Sequence, residues 1–94
     1  MPHFVLTCFD KQGALDLRMA TRPAHLEYID GAMDFVRLAA PMLDDDGQVI
    51  GSLLILECDR ARAEAFAAND PYQVAGVFER VELREIKITR GELR

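Results

Sequence analysis

The stretch Ile50-Gly51-Ser52-Leu53-Leu54-Ile55-Leu56-Glu57-Cys58 carries four apolar residues in a row, Leu53 to Leu56. A strand with one wet face alternates apolar and polar positions, whereas an unbroken apolar run belongs to a strand covered on both sides. Helices of the same chain can cover one face. The other face needs something more, and a second copy of the chain is the simplest cover.

Upstream of this strand, Asp44-Asp45-Asp46-Gly47 forms a polar turn ending in glycine, which suits a hairpin. Before it, residues 35–43 (FVRLAAPML) read as another strand, curtailed at Pro41, which cannot donate to a sheet ladder. Residues 14–33 look helical with a break. Ala14 to Met19 makes a short piece, and Thr21 then caps a restarted helix with Pro23 in its first turn. Leu26, Ile29 and Met33 follow at spacings of three and four as a buried stripe, and Gly31 weakens the end. Residues 3–9 (HFVLTCF) form the first strand, closed by the turn Asp10 to Gly13.

Downstream, Asp59 caps a second helix over 60–68, with Ala63, Phe66 and Ala67 on one side. Asn69-Asp70-Pro71 stops it, because the residue before proline avoids helical angles. Tyr72 to Ala75 makes a single turn before Gly76. A last strand runs from Val77 to about Thr89. Its apolar phase slips between Leu83 and Ile86, which predicts a β-bulge near Arg84 or Glu85.

The order is βαββαβ, the split-βαβ pattern of an α+β, ferredoxin-like fold. Two right-handed crossovers put strands 1 and 3 in the middle of a four-stranded antiparallel sheet, with both helices on one face. The opposite face is then open in a monomer. Covering it with a second copy removes about a thousand Å² from water, the scale of a stable interface. A homodimer is therefore expected, with room for a higher oligomer.

The 94 residues fit a single domain, 1–94, and half of them are hydrophobic, generous for so small a chain. Net charge is −5, from 16 acidic and 11 basic residues. Binding to nucleic acid or to anionic membranes needs a basic patch, and the basic residues here are scattered. No apolar run approaches the roughly 20 residues of a membrane span. Met1-Pro2-His3-Phe4 lacks the basic-then-apolar pattern of a signal peptide. The two cysteines, Cys8 and Cys58, stand 50 positions apart without metal-binding spacing. They read as small core residues that end neighbouring strands and so could lie close together. The chain is expected in the cytoplasm, without a metal or other cofactor.

His25 is the first candidate for chemistry. In the opening turn of the restarted helix, the helix dipole disfavours its charged form, leaving a neutral imidazole fit for a general base or an anchor. The plainer alternative is a buried histidine that merely packs or a surface one with no role. Asp70 either terminates a helix or accepts a hydrogen bond from one imidazole nitrogen, turning the other toward substrate. Arg22 either clamps a carboxylate or phenolate or pairs with an acidic surface neighbour. Ser52 donates a hydrogen bond to a ligand or is a strand-edge serine. Tyr72 presents its hydroxyl to the same pocket or packs over the core. The Asp44–Asp46 run lacks the later acidic residues of a calcium loop and reads as a solvated turn.

Arg22-Pro23-Ala24-His25-Leu26, Ala40-Pro41-Met42, Gly51-Ser52 and Asp70-Pro71-Tyr72…Ala75-Gly76-Val77 together resemble the YciI-like (YCII-related) family over nearly the whole chain. The resemblance implies a dimeric α+β barrel of ferredoxin-like subunits. It implies a His/Asp-centred site at His25 and Asp70, with Ser52, Arg22 and Tyr72 near the same cleft. The family usually has Gly-Pro where this chain has Ala40-Pro41, and a methyl there is expected to narrow the pocket or to alter the local backbone. A relative removes chloride from a chlorinated hydroxyquinol, and a related fold houses muconolactone isomerase. The implied activity is thus cofactor-independent lyase or isomerase chemistry on a small phenolic, enolisable or lactone substrate. The alternatives are a metabolite-binding or accessory module using the same cleft, and a purely structural assembly unit.

Overall fold

The computed structural model describes residues 1–93. In chain order the elements are β1 (His3–Asp10), α1 (Leu15–Asp30), β2 (Val36–Leu43), β3 (Val49–Glu57), α2 (Arg60–Asn69), α3 (Pro71–Ala75) and β4 (Phe78–Ile86). The strands make one antiparallel sheet in the order β2-β3-β1-β4, so the two central strands are β1 and β3, as the ferredoxin-like pattern requires.

β3 shows why its apolar run decides the topology. Ser52, Leu54 and Leu56 are buried on the helix side with Phe4, Leu6 and Cys8 of β1. Leu53 and Ile55 stand on the opposite face and are only half-buried. Gly51 allows the strands to close up. A methyl at that position would collide with the Cys8 carbonyl oxygen and the Met42 Cε.

Local signals explain most boundaries. The Asp59 carboxylate accepts from Arg62 N at 2.8 Å and caps α2. Asp44 Oδ1 accepts from the amides of Asp46 and Gln48, and Gly47, at φ 81°, completes the β2–β3 turn. The expected single turn after Asp70 is α3, closed by Gly76 at φ 86°.

Five expectations fail, each for a physical reason. α1 is continuous through Pro23 over 16 residues, and Thr21 is no cap: its hydroxyl donates back to Leu17 O at 2.8 Å inside the helix. The proline removes one backbone bond, but Arg18 before it and His25 after it are both tied to other elements, which holds the axis together. The Leu26–Ile29–Met33 stripe is not the inward face. Ile29 is buried, Leu26 and Met33 are exposed, and the buried residues of α1 are Arg18, His25 and Ile29.

Pro41 does not curtail β2, which runs on to Leu43. β2 is an edge strand, where a residue lacking an N–H can face solvent without breaking a ladder. In β4 the register with β1 is regular from His3↔Ile86 to Phe9↔Arg80 and slips between Phe9 and Asp10. The bulge therefore lies opposite the end of β1, not at Arg84 or Glu85, and the strand stops at Ile86. Cys8 pairs with Ser52, whereas the Cys58 amide bonds Pro2 O at the other end of β1. At ~3.3 Å per residue the two thiols are far apart, and both are free.

Candidate functional site

Between α1 and the helix-side face of β2 and β3 lies a cavity of about 360 Å³. Its walls come from Arg18, Met19, Arg22, His25, Leu26 and Ile29 of α1, with β2, β3 and Tyr72 opposite. Arg18 and His25 reach it because a separation of seven is two helical turns, so both project from one side of α1.

His25 is buried, and its Nδ1 lies 2.9 Å from Asp70 Oδ1. That oxygen also accepts from Tyr72 N at 2.9 Å, so one carboxylate caps α3 and orients the imidazole. An ionised carboxylate can only accept, which places the ring proton on Nδ1 and leaves the Nε2 lone pair free. The imidazole stacks on the Tyr72 ring at 3.9 Å between centroids and 15° between planes. This contact limits ring rotation. His25 sits in the third quarter of an unbroken helix, away from its N-terminal dipole, so the Asp70 bond, not the helix end, orients the ring.

The second polar group was not anticipated from the sequence. Arg18 is buried within the cavity wall, its Nη1 lying 2.9 and 3.1 Å from the two oxygens of Asp10. Its Nη2 donates to Ser52 Oγ at 2.7 Å, and its guanidinium carbon lies 4.5 Å from the Tyr72 ring centroid. A signal existed: Arg18 precedes His25 by seven and Ile29 by eleven, a helical face in which charged residues took apolar places.

Burial sets the electrostatics. The Asp10 carboxyl is raised above the ordinary 3.8 because loss of water outweighs the opposing pull of Arg18. The Tyr72 phenol is raised chiefly by burial, against the lowering influence of Arg18 and Arg22, so it remains a neutral hydroxyl. Cys8 is pushed up to about 12, mostly by burial and next by Asp70, which leaves an inert thiol.

Of the residues singled out in the sequence, the structure brings His25, Asp70, Ser52 and Tyr72 together and buries all four. Ser52 is linked to them through Arg18. Arg22 lines the same cavity but is exposed, and makes no hydrogen bond or ion pair among the described residues. Ala40 contributes to the wall, yet it pairs with Leu53, so its methyl stands on the far face of the sheet and does not narrow the pocket. Ala39 and Pro41, paired with Leu54 and Ser52, face the cavity. The cavity wall therefore carries Arg18, Arg22 and His25 and no carboxylate, in a chain of net charge −5. Asp10 and Asp70 stand behind it. A shallower groove of about 410 Å³ between α1 and α2 holds none of these groups, and its Arg62 is already paired with Asp34.

No helix among the described residues is long and apolar enough to cross a membrane. Among known proteins, the chain is 37% identical over 93 residues to Protein YciI of Escherichia coli O6:H1, spanning 89% of this chain and 95% of that one. Protein YciI of Shigella flexneri matches equally. Among solved structures, it is similar to 5-chloro-2-hydroxyhydroquinone dehydrochlorinase (TftG) from Burkholderia phenoliruptrix in complex with 2,5-dihydroxybenzoquinone. That match has a TM-score of 0.83 and 28% identity, over 90% of this chain and 93% of that one. A protein from Agrobacterium tumefaciens shares the fold at a TM-score of 0.59 and 16% identity, covering 96% and 95% of the two chains. The family model for the YCII-related domain matches residues 2–87, which take in every strand and helix described above, and on that match the chain belongs to the YCII-related family.

Proposed function

We propose that this protein is a small-molecule enzyme in which His25 moves a proton on a compact phenolic, enolisable or lactone substrate, in lyase or isomerase chemistry without a cofactor. The observation that carries this reading is the bond of His25 Nδ1 to a buried Asp70, which leaves Nε2 as the free nitrogen beside a cationic cavity. In it, Nε2 takes a proton from an acidic O–H or C–H of the substrate. The negative charge left on oxygen is met by Ser52 and by the exposed guanidinium of Arg22. A leaving group then departs, as in a lyase, or the imidazolium returns its proton to another atom, as in an isomerase. Tyr72 keeps the imidazole flat against its ring throughout. The dehydrochlorinase named above supports the choice of chemistry through its likeness in fold and sequence.

Two further elements belong to the proposal. The first is a homodimer formed over the open sheet face, where Val5, Thr7, Phe9, Leu53 and Ile55 are half-buried and Leu38 is exposed. The second is a cytoplasmic location, in keeping with two free, buried thiols.

The test is chloride release from 5-chloro-2-hydroxyhydroquinone by wild type and His25→Ala, with sedimentation velocity on the same samples. Turnover that falls by about 10²–10⁴ in His25→Ala, in a folded dimer, supports the reading. Equal rates in the two proteins sink it. Tight binding of small phenols without turnover of any makes the chain a metabolite-binding module instead.

A further inference from the structure

The bond from Arg18 to Ser52 constrains a proton that the His25–Asp70 pair does not explain. A hydroxyl has one proton and two lone pairs. Arg18 Nη2 donates into Ser52 Oγ at 2.7 Å, so the serine proton must point to some other acceptor. None of the described residues accepts it, although Ser52 is 3% exposed. Buried hydroxyls find partners, and the space beside this one is the cavity. The guanidinium also polarises the O–H, making it a stronger donor than a free serine.

Asp10 completes the arrangement. Its two oxygens hold Arg18 Nη1 at 2.9 and 3.1 Å, which turns the other arm of the guanidinium onto Ser52. A lysine has no second arm and could not serve both partners in this geometry.

We propose that Asp10, Arg18 and Ser52 form a relay that fixes Ser52 as a charge-assisted donor to an oxyanion of the ligand. Ser52 touches the ligand; Arg18 and Asp10 are positioning residues acting through it. The favoured ligand is an ionised phenol or enol, because its oxygen offers acceptors and no competing proton. The relay deepens the functional reading above, resting on its account of the cavity as a ligand site and not on proton transfer by His25.

Binding of 2,5-dihydroxybenzoquinone, followed by calorimetry or by the absorbance of its ionised form, tests the relay in wild type, Ser52→Ala, Arg18→Gln and the double variant. Ser52→Ala is expected to lose about ten- to a hundredfold in affinity for the ionised probe, the worth of a hydrogen bond to a charged group. Arg18→Gln is expected to lose a similar factor, and the double variant no more than the worse single one, since the two act as a unit. Losses that multiply overturn the relay, because Arg18 would then hold the ligand by itself. Wild-type affinity in Ser52→Ala overturns it too, as does failure of the wild type to bind the probe.

Should Arg18→Gln fail to fold, the pH dependence in Ser52→Ala decides. The wild-type preference for ionised over protonated probe must shrink in that variant, and an unchanged preference overturns the relay. Ser52-dependent binding by a wild type that releases no chloride leaves the relay standing and overturns only the enzymatic reading.

Discussion

α1 and α2 pack on the same side of one sheet, yet they bury opposite kinds of residue. α2 turns Ala63 and Phe66 inward and leaves Arg60, Arg62 and Glu64 in water, the usual division. α1 buries Arg18 and His25 beside Ile29 and exposes Leu15, Leu17, Met19 and Leu26. A helix gains nothing by hiding a guanidinium and an imidazole unless each is bonded, and here each has its own carboxylate, Asp10 and Asp70. Inverted polarity marks the helix that carries the candidate site; ordinary polarity marks the one that holds the fold.

The sharpest way to break this contrast is to truncate one buried ring on each helix. His25→Ala should lower turnover about 10²–10⁴-fold while the protein stays folded at ordinary temperature. Phe66→Ala should instead cost about 3–5 kcal/mol in urea unfolding, because it empties a core site packed by Phe35 and Tyr28, with little change in activity per folded molecule. A thermal melt and a rate on both variants would erase the distinction if each lost stability and activity alike.

Smaller effects sharpen it. Removing the α2 cap with Asp59→Ala should destabilise by about 1 kcal/mol, seen as a lower denaturation midpoint. Thr21→Ala in α1 should be neutral or stabilise by about 0.5 kcal/mol, since its hydroxyl only bonds back to Leu17 O and alanine is the better helix former. A loss like that of Asp59→Ala would mean that α1 does start afresh at Thr21.

The last test is of direction only. Asp10 titrates above its ordinary 3.8, so the folded protein holds that proton more tightly than the unfolded chain. The corresponding stability is complete below pH 3.8 and is lost as pH rises through the elevated value. Relative to Asp10→Asn, wild type should therefore lose stability as pH climbs across that window in urea titrations. A relative gain would mean that the Arg18 pairing outweighs the burial of the carboxyl.

What the sequence determined by itself is local chemistry and period. The unbroken run Leu53–Leu56, the Asp59 cap, the Asp44–Gly47 turn and the stop at Asp70-Pro71 each act within a few residues, and they yielded the βαββαβ order. The motif around His25 and the Asp-Pro-Tyr turn pointed to two members of the candidate site, although nothing in their spacing of 45 could show that they meet.

Tertiary structure decided the rest. Whether α1 broke at Pro23 depended on anchors from Asp10, Ser52 and Asp70, all outside the helix. Which face of α1 turned inward depended on those same anchors, since by apolar pattern alone Leu26 and Met33 had the better claim. The place of the β4 bulge depended on its register with β1, and the direction of Ala40 on its pairing with Leu53. Arg18 escaped notice for the same reason: a buried cation is tolerable only with its partners in place, and those partners lie 8 and 34 residues away along the chain.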